Sequence, residues 1–271
     1  MSITTHINDF AWMKQGRQIH SCSQADAMLL KTYKQRHSNT TGKALLMLHG
    51  FSSSPAVFRL MYTQLQEYDF IYAPLLPGHG VTLQQFARTA RNQWVHSAKQ
   101  CFKEIYPSYQ QIDVLGLSLG GLLACHLAQE LPVNRLVLLA PALALKTPLS
   151  RLLAIAKLAQ TCGFQFIRNC GGRTCAPQAD ELLYKLLPIS AVLEILQLIA
   201  EFRLSGWDCP TEVFLGRHDT VVDSLQVAQM LQSLKNVNIH FLEQSNHVLP
   251  LDGNYLEIIN LLGKASPHSS S

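Results

Sequence analysis

Val114-Leu115-Gly116-Leu117-Ser118-Leu119-Gly120-Gly121-Leu122 is an apolar run that stops at a serine set among glycines and resumes at helical spacing. A Gly-x-Ser-x-Gly arrangement puts its serine on a sharp strand-to-helix turn, where the backbone leaves no room for flanking side chains and the hydroxyl is pushed outward. Glycine and serine are common, so the bare motif decides little. Its surroundings decide more. Gln111 to Leu117 reads as a buried strand, and Leu119, Leu122, Leu123 and Leu127 repeat at helical spacing up to Pro132, the strand, turn and helix that the motif requires. Ser118 is the candidate nucleophile.

Working outward, residues 44–48 are a continuous apolar run, as in strands covered on both faces of a parallel sheet, and end in His49-Gly50-Phe51. Ser54 and Pro55 predict the start of a helix with Val57, Leu60, Met61 and Leu65 on one face. Phe70 to Leu76 supplies a strand closed by Pro77-Gly78-His79-Gly80, and Trp94, Val95, Ala98, Cys101, Phe102 and Ile105 mark the helix that returns to the Ser118 strand. An early edge strand is expected at 26–33. Beyond Ser118, Arg135 to Ala140 is another strand, after which strand-helix alternation lapses. Helical spacing in 148–160 and 180–203, joined by the glycine- and cysteine-containing stretch 162–176, predicts an all-helical lid over one end of the sheet. Alternation resumes with a strand Glu212 to Leu215 and its exit loop Arg217-His218-Asp219, a helix at 223–234, a strand Asn238 to Leu242 with the exit loop Gln244-Ser245-Asn246-His247, and a last helix from near Asp252 to Gly263. The expected division is a core of residues 1–141 and 208–263, a lid of 142–207 and a disordered tail of 264–271.

Composition bounds the function. The chain has 271 residues, 48% of them hydrophobic, enough for one large α/β domain or one with an insertion. A net charge of +4 on 15% charged residues, with the basic residues scattered, points to neither nucleic acid nor an anionic membrane. No exposed amphipathic anchor is evident, so no stable membrane anchoring is expected. Seven cysteines without an even, closely spaced framework argue for reduced thiols, and Cys170 and Cys175 lack the second Cys or His pair of a metal site. No cofactor and no metal are expected. The first 25 residues contain Asp9, Lys14 and Arg17 and no continuous apolar core, so a cytoplasmic location is expected.

In an open parallel sheet the loops at the carboxyl ends of the strands gather on one edge, and Ser118, Asp219 and His247 all fall there. A serine hydroxyl needs a neighbouring imidazole to take its proton, and that imidazole needs a carboxylate to fix its tautomer. The developing oxyanion needs two donors, expected to be the backbone N–H groups of Leu119 and Phe51. Asp219 is preferred over Asp223, which sits where a helix wants an N-cap, and over Asp208, which precedes its strand and lies at the opposite end of the sheet. His49 and His79 read as structural hydrogen-bonders, His218 as a loop residue, and His126 as a surface or packing residue.

His49-Gly50-Phe51, the Leu76–Gly80 turn, Gly116–Gly121, Arg217-His218-Asp219 and the Ser245–Asp252 stretch, in that order, resemble the bacterial carboxylesterase and monoacylglycerol lipase group of α/β hydrolases over residues 42–263. The resemblance implies a mostly parallel central sheet flanked by helices, with a small helical lid after the sixth strand. It also implies a serine hydrolase of carboxylic esters with Ser118, Asp219 and His247 as its triad. The substrate expected is a small-molecule acyl ester of small to medium chain length, monoacylglycerols among them; acyl transfer or thioester cleavage on the same triad is the alternative. Residues before 42 and the stretch 162–176 depart from the group's pattern.

Overall fold

The computed structural model describes residues 7–37 and 42–263, so the 264–271 tail lies outside the described residues. The chain opens with a hairpin, β1 (Phe10–Lys14) and β2 (Arg17–Ser21), a 3-10 turn Gln24–Leu30 and β3 (Tyr33–Arg36). Then come β4 (Lys43–Leu48), β5 (Phe70–Ala73), α1 (Leu83–Phe86), α2 (Arg91–Ile105), β6 (Gln111–Leu117), α3 (Leu119–Glu130) and β7 (Arg135–Leu139). The inserted stretch holds α4 (Leu149–Thr161), β8 (Phe166–Arg168), β9 (Glu181–Tyr184), β10 (Leu186–Pro188) and α5 (Ile189–Glu201). Last are β11 (Thr211–Gly216), α6 (Ser224–Leu231), β12 (Val237–Leu242) and α7 (Tyr255–Gly263).

Seven strands form one sheet in the order β12-β11-β7-β6-β4-β5-β3, parallel except for β3, which runs antiparallel to β5 at one edge. The chain leaves β4 for β5 on one side and then crosses to β6 on the other. Strand order therefore reverses between β4 and β6, and the loops at their carboxyl ends flank a crevice. Alternate residues enter two cores: Leu46, Leu48, Val114, Leu136 and Leu138 pack on one face, Leu45, Met47, Leu115, Val137 and Leu139 on the other. Strands buried on both faces read as continuous apolar runs, which is why they are visible in the sequence.

The structure differs from the sequence-based expectation wherever local pattern competes with a distant partner. Residues 26–33 are not an edge strand: Asp26 accepts from the Ser23 N–H at 2.7 Å and hydroxyl at 3.0 Å, which starts a 3-10 turn, and the edge strand is β3. Residues 54–65 form two 3-10 turns, Pro55–Phe58 and Tyr62–Gln64, in place of one amphipathic helix. The Ser54 hydroxyl donates to Leu29 O, not to a helix end, and Ala56, Val57, Phe58, Met61, Tyr62 and Leu65 are buried on all sides.

The inserted segment is not all-helical. Residues 181–184 pair antiparallel with β1, and β10 pairs with β8, so α5 begins only at Ile189, after Pro188. The insertion follows the fifth strand of the main sheet in chain order, β7, not the sixth. The pairing of β1 with β9 also attaches the N-terminal hairpin to the insertion, where the sequence assigned residues 1–141 to the core. Lys185 N–H donates to Asp9 O at 2.8 Å, and Gln15 and Gly16 N–H donate to Gly172 O and Gly171 O at 2.6 and 2.8 Å. Among the described residues no helix is long and apolar enough to cross a membrane. The outer face of α4, however, does expose large apolar side chains.

Gly116 and Gly120 set the closest approach in the molecule's centre. A Cβ on Gly120 would meet the Leu48 carbonyl at the end of β4, and one on Gly116 would meet the Gly120 carbonyl. Both obstacles are backbone, which cannot rotate away. Gly120→Ala is expected to lower the unfolding free energy by about 3 kcal/mol or more in urea melts; a loss below about 1 kcal/mol would show that the junction yields.

Candidate active site

Ser118 joins β6 to α3 with φ 53° and ψ −113°, in the left-handed half of backbone space that residues with a Cβ avoid. Three backbone hydrogen bonds hold it there. Its N–H donates to Leu139 O, and its carbonyl accepts from Leu122 and Ala142 N–H, all at 3.0 Å. The strain is sustained because β7, α3 and the start of the insertion each fix one side of the turn. Leu119, the first residue of α3, has an N–H with no intrahelical acceptor.

His247 leaves β12 by the loop before α7, and Asp219 leaves β11. The two meet at 2.9 Å between Nδ1 and Oδ2. The other oxygen of Asp219 accepts from Val221 and Val222 N–H at 2.7 and 2.8 Å, so the buried carboxylate is fixed by its own loop. Donation from Nδ1 leaves Nε2 as the lone-pair nitrogen of the neutral ring. Burial works against the imidazolium of His247, but the Asp219 carboxylate, and behind it Glu181, outweigh burial and hold the pKa above the ordinary 6.5. Asp223 caps α6, accepting from Gln226 N–H at 3.1 Å, and Asp208 precedes β11, at the other end of the sheet.

Ser118 and His247 line one cavity of about 310 Å³, together with Gly50, Phe51 and Ser52 from the loop after β4. The insertion supplies its apolar wall through Leu145, Leu183, Leu187, Val192, Ile195 and Ile199. A larger groove, about 1060 Å³, lies between α2 and α5 beside Arg91, His126 and Phe202 and contains none of Ser118, Asp219 or His247. His126 rests edge-on against Phe202 and His218 is exposed. Among the described residues no group of three or more His, Cys, Asp or Glu is arranged to hold a metal ion.

The loop carrying Phe51 is shaped by two buried histidines. His49 Nδ1 donates to Gly50 O at 2.9 Å and its Nε2 accepts from Leu76 N–H at 3.0 Å. His79 Nδ1 donates to Pro77 O at 3.1 Å while Nε2 accepts from Ser52 N–H at 3.1 Å, with Ser52 at φ 61°. Both rings are held neutral by burial, His49 well below its ordinary pKa and His79 down to about 4. Each ring spends both nitrogens on the backbone, as expected of structural histidines.

Three features escaped the sequence reading. Asp252, fully buried, accepts from the N–H groups of Cys175 (2.8 Å), Ala176 (2.7 Å), Asn246 (2.8 Å) and Gly253 (2.9 Å), which ties the insertion to the loop of His247. The Arg173 carbonyl accepts from His247 and Val248 N–H at 3.1 and 3.0 Å, so the stretch 162–176 contains the scaffold of the imidazole loop. Glu181 is a buried carboxylate on the cavity wall, bonded by Ser53 Oγ at 2.9 Å and Gly172 N–H at 3.1 Å, and burial raises its pKa. The Asp before Gly253 and the Glu opening an apolar run were visible signals, but nothing local says what they face.

A thermostable monoacylglycerol lipase of Bacillus sp. (strain H-257) is 26% identical over 214 residues, 77% of this chain and 84% of that protein. A carboxylesterase of Bacillus subtilis is 24% identical over 217 residues, 78% of this chain and 86% of its own length. Among solved structures, one of the metagenome-derived lipolytic enzymes LipS and LipT matches with a TM-score of 0.76 at 22% identity, covering 86% of this chain and 95% of that one. The family model described as "Alpha/beta hydrolase family" matches residues 45–258, the stretch from β4 to α7 that contains Ser118, Asp219 and His247, and the chain belongs to that family.

Proposed function

We propose that the protein is a serine carboxylesterase acting on small to medium-chain acyl esters, monoacylglycerols among them, through an acyl-enzyme on Ser118. The observation that carries the reading is the His247–Asp219 hydrogen bond beside a cavity that Ser118 and His247 share. The names of the two Bacillus relatives support the substrate class.

In this mechanism Asp219 keeps the proton on Nδ1, so Nε2 takes the Ser118 proton as Oγ attacks the ester carbon. The oxyanion is received by the N–H groups of Phe51 and Leu119, at the start of α3 where the helix dipole favours negative charge. Collapse breaks the ester C–O bond, and His247 returns the proton to the departing alcohol. A water, deprotonated by the same nitrogen, then cleaves the acyl-enzyme to the acid and restores Ser118. The acyl chain lies along Leu187, Val192, Ile195 and Ile199, and Glu181 accepts a hydrogen bond from a hydroxyl of the alcohol portion. An odd number of cysteines with no closely spaced framework supports a reducing compartment, the cytoplasm.

A fluorophosphonate is expected to label Ser118 once, and Ser118→Ala to abolish labelling and to reduce kcat by on the order of 10⁴ to 10⁶. Asp219→Asn should cost on the order of 10⁴ while Asp223→Asn stays within a few-fold, about 1 kcal/mol less stable for its lost cap. Labelling that survives in the alanine variant, or an Asp223 effect as large as that of Asp219, would overturn the assignment.

Because protonated His247 cannot accept, kcat/KM should fall as pH drops through a midpoint above 6.5. Glu181→Gln removes one of the negative charges that hold the midpoint up and should move it lower. An unmoved midpoint would show that Glu181 does not act on the imidazole.

Across p-nitrophenyl esters, kcat/KM should climb by up to about fourfold per added methylene until the cavity is full. A flat profile from acetate to decanoate would refute the apolar wall as acyl site, and acyl-CoA thioesters outpacing every oxygen ester would reassign the enzyme as a thioesterase.

A further inference from the structure

Residues 141–179 contain five cations, Lys146, Arg151, Lys157, Arg168 and Arg173, and no Asp or Glu. Lys146, Arg151, Lys157 and Arg168 are exposed, and none of the four forms an ion pair among the described residues. The same stretch carries exposed apolar side chains. Arg151, Ile155 and Leu158 share the outward arc of α4 at i, i+4 and i+7, with Ile155 and Leu158 exposed by 55% and 65%. Surface helices ordinarily turn that arc polar.

The end of α4 fixes a fourth member of the group. Gly163, at φ 86°, donates its N–H to Gln160 O, and Phe164 N–H donates to Ala159 O, both at 3.0 Å. That pair of bonds is a Schellman ending, which brings the residue after the glycine back over the last turn of the helix. Phe164 is thereby held at the Leu158 end of α4, yet stays 63% exposed, and a Cβ on Gly163 would meet no atom within 4 Å. The end of α4 therefore carries exposed apolar side chains, with Lys157 adjacent in sequence to Leu158, Arg151 about two turns earlier on the same arc, and Arg168 four residues beyond Phe164.

We propose that this tip docks the protein on an anionic lipid bilayer surface, Ile155, Leu158 and Phe164 entering the boundary between headgroups and acyl chains while Arg151, Lys157 and Arg168 meet lipid phosphates. Charge selects the occupant. An exposed apolar patch alone suits many partners, but one on a stretch whose exposed cations form no ion pairs, with no anion over 39 residues of chain, suits a surface that is apolar below and negative above. The docking goes beyond the esterase reading and does not depend on it. It also gives the cavity a setting, since Ile167, which lines it, is the neighbour of Arg168.

The test is co-sedimentation of the full chain with vesicles of phosphatidylcholine alone and vesicles in which part of it is replaced by phosphatidylglycerol. Binding should appear on the phosphatidylglycerol vesicles and fall with added salt. Each cation replaced by glutamine should weaken partitioning about fivefold, and the triple variant Arg151→Gln, Lys157→Gln, Arg168→Gln on the order of 100-fold. Leu158→Ser with Phe164→Ser should weaken it at least about tenfold with every cation retained. Thermal melts show that each variant is folded; all five substituted positions are exposed, and none lies on the cavity wall. No binding to phosphatidylglycerol vesicles, equal binding to neutral ones, or binding indifferent to both sets of variants would overturn the proposal. So would a dimer in light scattering that Leu158→Ser and Phe164→Ser dissolve, which would assign the tip to a second copy of the chain.

Discussion

The contact between Gly120 and the Leu48 carbonyl is where β4, β6 and α3 come together most tightly, and the geometry of the crevice follows from it. With no side chain between them, the first turn of α3 packs directly on the end of β4, so the N–H groups at the start of α3 and the loop that follows β4 lie side by side. Ser118 then has to turn at φ 53° to join strand to helix. That backbone state is unfavourable for a serine by on the order of 1–3 kcal/mol, and it persists because hydrogen bonds to Leu139, Leu122 and Ala142 over-determine it. A serine in a relaxed turn would lie along the chain; here its hydroxyl is directed by a strain that three elements share.

The second constraint links the insertion to the imidazole loop. A lid in the simple sense hinges at two ends and is otherwise free of the site beneath it. Here Asp252 and the Arg173 carbonyl bind the middle of the insertion to the loop of His247, and β9 is bound in turn to β1 of the N-terminal hairpin. Opening the stretch around 170–178 would break the bonds that place His247. Strand β1 therefore acts on the site at one remove, by holding the strand whose first residue is Glu181.

How much of this the sequence displays depends on how local each cause is. The strand-to-helix turn at Ser118 is local: two glycines, a serine and the apolar runs on either side are within a dozen residues, and the strand faces repeat over the whole sheet. That Asp219 leaves its strand toward His247 while Asp223 caps α6 was legible because a cap and a strand exit are both short-range patterns. β9 was not legible. Leu182, Leu183, Leu186 and Leu187 fit helical spacing as well as strand spacing, and what decides the matter is Phe10 to Met13, some 170 residues earlier in the chain. The same holds for Asp252, whose partners Cys175 and Ala176 lie about 76 residues away, and for the turn at Gln24–Leu30, where one side-chain cap overrides a weak strand pattern.

Overall composition hides how the charges are distributed. A net charge of +4 on 15% charged residues is mild only as an average, because the acids and bases are not spread alike. Elsewhere several cations are matched with anions, as at Arg135 with Asp113, Arg91 with Glu194 and Glu201, and Lys99 with Glu130. The stretch 141–179 has cations without anions and presents them beside exposed Ile155, Leu158 and Phe164. Screening confines the field of exposed charges to about 8–10 Å at physiological ionic strength, so a surface approaching α4 responds to the local cluster and not to the chain's total. A global count is the wrong quantity for that interaction, and a windowed one, taken together with which residues the fold leaves exposed, is the right one.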